Sequence, residues 1–110
     1  SSRKVSILGD KRLKAIELID FITNDLLLIK MKGNYWCMID TYGQIREIPR
    51  RLLHILCMRN FTQIQTVHMD KQCTMLVVLH AEKVTCTVEF SHRGEVKDIQ
   101  EFDLHHNQQN

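Results

Sequence analysis

The chain has 110 residues, of which 44% are hydrophobic and 25% charged, and its formal net charge is +2. This length fits one domain, and the composition is that of a globular protein rather than a disordered or collagen-like chain. The apolar runs are far shorter than the roughly 20 residues that a membrane-spanning helix needs. The small positive charge also argues against a dedicated nucleic-acid binder, which would carry a strongly basic face.

Short runs of alternating apolar and polar residues, separated by turn-forming residues, predict antiparallel β-structure along most of the chain. The clearest alternation runs from Val84 to Phe90. The first run also fits a helical turn, and the polar tails, 1–10 and 105–110, are expected to be loose. The expected strands lie at 13–21, 25–32, 35–40, 45–48, 61–69, 73–80, 84–90 and 95–102.

One segment in the middle of the chain has the pattern of a helix, predicted over 49–59. Pro49 suits the first helical position, because the N–H that proline lacks has no helical partner there. Leu52 and Leu56 are four residues apart and therefore share a helix face. Asn60 is placed to cap the C-terminal end.

The two halves of the chain repeat each other when the sequence is shifted by 51 residues. Gly43 then falls on Gly94, and the Leu26–Leu28 run falls on Val77–Leu79. The repeats span about 13–48 and 64–99, on either side of the helix. We therefore expect a single, mainly β domain (α+β) over residues 1–110: one antiparallel sheet of about seven strands, built from two similar hairpin-rich halves, with one short central helix. The alternative is two units that resemble β-propeller blades.

The cysteines indicate the cellular compartment rather than a site. Cys37, Cys73 and Cys86 lie in or beside apolar runs, where a thiol packs as a small apolar side chain. The first residues lack the apolar segment of a secretory signal. We therefore expect reduced cysteines and an intracellular protein, nuclear or cytoplasmic.

Signatures of metal binding and catalysis are weak throughout. The closest Cys/His pair is His54 and Cys57, and structural zinc sites usually show two pairs of ligands at short spacing. The glycines stand singly rather than in a phosphate-binding loop, and no nucleophile lies in a local catalytic motif. The sequence therefore predicts a protein that is not an enzyme and that has no metal or cofactor.

Protein binding is the function that this composition favours. The predicted helix is apolar nearly all round, which implies that it is buried or that one of its faces is a docking site. A sheet edge is a second way to bind a partner strand. The expected partner is another protein or a second copy of the chain, and the candidate partner-binding residues are Leu52, Leu53, Ile55, Leu56, Met58 and Trp36.

The alternative function is binding of single-stranded nucleic acid. Arginines cluster around the helix, with Lys30 and Lys32 on the preceding hairpin and Tyr35 and Tyr42 nearby. Basic side chains interleaved with aromatic rings grip a single strand through phosphate contacts and base stacking. The candidate residues for this function are Arg46, Arg50, Arg51 and Arg59.

Overall fold

The computed structural model describes residues 15–68 and 75–103. Its elements are β1 (Ile16–Thr23), β2 (Leu26–Met31), β3 (Tyr35–Asp40), β4 (Ile45–Arg46), α1 (Arg50–Met58), β5 (Gln63–His68), β6 (Met75–His80), β7 (Val84–Phe90) and β8 (Val96–Asp103). The predicted loose tails, 1–10 and 105–110, lie outside the described residues. In the described ranges, no helix is both long and apolar enough to cross a membrane.

The strands form two separate four-stranded antiparallel sheets, in the orders β1-β2-β3-β4 and β5-β6-β7-β8. The mainly antiparallel β-fold with one short helix is confirmed. The expected seven strands in two similar halves agree roughly with the eight strands observed, but these form two sheets instead of one. After β4 the chain leaves the first sheet at Pro49 and passes through α1 before β5 begins. Because of this departure, β5 starts a new sheet instead of pairing with β4.

The ambiguous first segment is a strand, which raises the number of strands to eight. β1 pairs with β2 over most of its length, for example through Ile19 with Ile29 and Phe21 with Leu27. Its apolar residues lie on both faces, since Leu18 and Ile22 contribute to the core between the sheets. A segment that buries side chains on two faces lacks the simple alternation of a half-exposed strand.

The 51-residue repeat is clearest in the turns that follow β3 and β7. Gly43 N–H donates to Asp40 O (2.9 Å), and Gly94 N–H donates to Ser91 O (2.9 Å). The Asp40 carboxylate and the Ser91 hydroxyl accept two further backbone N–H groups in the same way. Both glycines have a positive φ, +85° and +86°, which favours glycine at this position.

The repeat does not hold without a gap. Cys37 corresponds to Val88 at a separation of 51 residues, and their partners across the strands are Ile29 and Val77. Ile29 is therefore the counterpart of Val77, at a separation of 48. The hairpin between β6 and β7 is accordingly three residues longer than the one between β2 and β3, so the expected match of Leu26–Leu28 with Val77–Leu79 is shifted by three residues.

Each sheet has two faces, which we name front and back, and faces that correspond through the repeat have the same name in both sheets. The front face of the first sheet holds Ile16, Ile19, Phe21, Leu27, Ile29, Met31, Tyr35, Cys37, Ile39 and Ile45, as the strand register and the pleat require. The corresponding front face of the second sheet includes Val77, Leu79, Cys86, Val88 and Phe90. The main core joins this second front face to Leu26, Leu28, Trp36 and Met38, which lie on the back of the first sheet. The two sheets therefore stack front to back, in one direction.

The helix packs against the same core. Leu52 and Leu56 are fully buried in it, with Ile48 and Phe61 on either side of α1 along the chain. Pro49 occupies the N-cap, one position before the predicted one, and makes no side-chain capping bond. The described helix is thus a covering element of the two-sheet core.

Candidate interaction surfaces

The helix divides the candidate partner-binding residues into two groups. Leu52 and Leu56 are fully buried, and Trp36 is 5% exposed, so these three belong to the core in the folded chain. Ile55 is partly buried against that core. Leu53 and Met58 are exposed. Because the helix is amphipathic, the apolar surface on its outer side is small and comes from Leu53 and Met58.

An asparagine in the β2–β3 turn anchors the end of the helix. Asn34 Nδ2 lies 3.2 Å from Cys57 O and 3.3 Å from Arg59 O, and donates to these terminal carbonyls. Trp36 Nε1 in turn donates to Asn34 Oδ1 at 3.0 Å. The predicted cap, Asn60, does not have the left-handed backbone conformation of a C-terminal cap, and its Oδ1 accepts from Lys30 Nζ. Hydrogen bonds from Asn34, which is distant in the sequence, therefore take the place of a cap from the residue that follows the helix.

Lys30 is a structural residue and does not extend a basic surface. It is buried on the back of the first sheet. Its ammonium donates to Asn60 Oδ1 and Phe61 O, both at 2.7 Å, and lies 3.5 Å from the Glu17 carboxylate. A buried ammonium needs such acceptors to offset the loss of hydration. The side chain therefore joins the first sheet to the segment that leads into the second.

The four candidate nucleic-acid-binding arginines do not form one uncompensated cluster. Arg46 lies 3.7 Å from the Asp40 carboxylate, and Arg59 lies 3.4 Å from Glu101. Arg50 and Arg51 are exposed at the start of the helix. Two of the four positive charges are thus balanced by neighbouring carboxylates, and nucleic-acid binding stays a prediction.

The thiols and the other potential metal ligands are dispersed. Cys37 and Cys86 are buried, Cys57 is exposed, and none of the three is in a disulfide. Desolvation and the nearby Glu101 carboxylate raise the pKa of the Cys86 thiol to about 11, although Arg59 acts in the opposite direction. No group of three or more His, Cys, Asp or Glu side chains in residues 15–68 and 75–103 is arranged to hold a metal ion.

The front face of the first sheet is apolar across β1, β2, β3 and the start of β4. All ten of its residues are apolar or aromatic, and none is charged. Its centre is buried, but Ile19, Tyr35 and Ile45 at its perimeter are 45%, 59% and 57% exposed. The second cluster of buried side chains, centred on Ile29 and Ile39, draws its members only from β1, β2 and β3. Exposed apolar residues grouped on one face mark an interaction site more often than scattered ones.

The outer edges of the two sheets also differ. β4 is only two residues long, and Pro49 follows shortly after it. β8 occupies the same position in the second sheet but is eight residues long, and six of its residues are exposed. Within the described ranges, no strand pairs with the outer side of β8. In the described ranges the second sheet therefore ends in a long edge strand, whereas the first ends in a short one.

The sequence contains a signal for the front face that the strand prediction did not use. The run Leu26–Ile29 has four consecutive apolar residues, and all six residues of β2 are buried. A continuous apolar run of strand length indicates a strand that is covered on both faces of its sheet. Alternation of apolar and polar residues indicates a strand that is covered on one face only. β6 shows the contrasting pattern, with every second residue buried.

Comparisons with protein-family models, with curated proteins and with solved structures found no match to this chain.

Proposed function

We propose that this chain is a protein-interaction module that binds through the front face of its first sheet, and that a second copy of the chain is a partner. The observation that carries the proposal is the exposure of Ile19, Tyr35 and Ile45 around an apolar, uncharged face. The contact is made by this perimeter, since the centre of the face is already buried.

The chemistry of the face favours a second copy. An uncharged apolar face meets an identical face without bringing like charges together, and two-fold pairs of this kind are the commonest oligomers. The back of the second sheet is a poorer match, because Glu89 and Asp98 lie next to each other there among glutamine and threonine residues. Tyr35 at the perimeter also suits a partly hydrated interface, because it combines an apolar ring with a polar hydroxyl group.

The helix and the sheet edge keep secondary roles in this proposal. Leu53 and Met58 extend the apolar surface of the helix, whereas Leu52, Leu56 and Trp36 support the fold from the core. The finer idea of two propeller-like blades agrees with two separate meanders that stack in one direction. In this arrangement the exposed perimeter of the front face, at Ile19, Tyr35 and Ile45, is where further association is proposed.

Light scattering on a sizing column, over a concentration series, tests the proposal. We expect the average mass of the unmodified chain to rise towards that of a dimer as concentration increases. Ile45→Lys places a charge on the exposed perimeter and is expected to weaken the association at least tenfold, because a buried unpaired charge is costly.

Met58→Lys is the matched control, because Met58 is 64% exposed but lies on the helix rather than on the front face. This variant should associate like the unmodified chain. A mass that stays monomeric at every concentration, or an equal effect of Ile45→Lys and Met58→Lys, would overturn the proposal. Circular dichroism of both variants checks that each retains the fold.

A further inference from the structure

We draw no further inference here: the strongest candidate, the cavity of about 820 Å³ between the end of α1 and the β6–β7 turn, is lined by charges of both signs at Arg59, Glu82 and Lys83, and Arg59 is already paired with Glu101, so nothing in the structure selects a ligand for it.

Discussion

The first and second sheets have the same strand order and equivalent turns, yet they bury their residues differently. β2 buries all six of its residues, whereas β6 and β7 bury every second one. β2 is thus buried on both faces of the first sheet, although Lys30 lies among the apolar residues of the back face, whereas the second sheet buries the residues of one face only. This difference gives the stack a direction: the back of the second sheet is partly polar, and the front of the first sheet is apolar, with a buried centre and an exposed perimeter at Ile19, Tyr35 and Ile45.

The largest expected effect is the difference in stability lost by substitutions on the front of the first sheet and on the back of the second. Ile29 is fully buried at the centre of the first front face, and Val78 is half-buried on the back of the second sheet. Ile29→Ala should lower the free energy of unfolding by about 3 kcal/mol, because it removes buried methyl groups and leaves a cavity. Val78→Ala should cost about 1 kcal/mol or less. Denaturant unfolding of both variants measures the difference, and equal losses would mean that the two faces are equally packed.

A pH effect should distinguish the interior of the stack from its surface. The pKa of the buried Cys86 thiol is raised from 9.0 to about 11, so the unfolded chain loses this proton at lower pH than the folded one. The stabilising contribution is therefore complete below about pH 9 and is lost as the pH rises towards 11. The corresponding slope is at most about 1.4 kcal/mol per pH unit.

Cys86→Val isolates this contribution, because it keeps a small apolar side chain in the core. Unfolding measured between pH 8 and 11 should show a shallower decline for Cys86→Val than for the unmodified chain. Cys57→Ser, at the exposed cysteine of the helix, is the control and should follow the unmodified chain. Parallel curves for the unmodified chain and Cys86→Val would contradict the assignment.

The smallest expected effect concerns the close approach of the two sheets. A Cβ atom at Gly94 would lie 2.7 Å from Leu26 Cδ2, whereas one at Gly33 would meet nothing within 4 Å. Both glycines have a positive φ, so alanine is strained at either position. Gly94→Ala should therefore cost about 1 kcal/mol more than Gly33→Ala in thermal unfolding. If the two variants lose the same stability, the sheets have room to separate at this point.

Local patterns in the sequence predicted the elements well and the sheets poorly. The runs around β3, β7 and α1 were recognisable because each has the periodicity of its own structure. The preferred prediction was a single sheet, and a division into two units was only its alternative, because strand pairing between β4 and β5 depends on the path of the chain after Pro49. The candidate helix surface was likewise reduced once Leu52 and Leu56 were placed in the core.

The candidate surfaces, too, could be predicted from the sequence only in part. The apolar run Leu26–Ile29 signals a strand covered on two faces, but it does not show which side of a sheet Ile19, Tyr35 and Ile45 share. Lys30 and Asn34 belong to hydrogen-bond networks with residues 22 to 31 positions further along the chain. Partners so distant in sequence are not visible in a local pattern.

The amino-acid sequence by itself determined the short alternating strands, the single helix after Pro49 and the turn glycines at Gly43 and Gly94. These features depend on side-chain period and backbone conformation, which act over a few residues. The tertiary structure alone decided the two-sheet stack, its front-to-back direction, the exposed perimeter of the first sheet and the position of β8 as the last strand of the second. These depend on which surfaces meet, and burial is a property of the assembled fold.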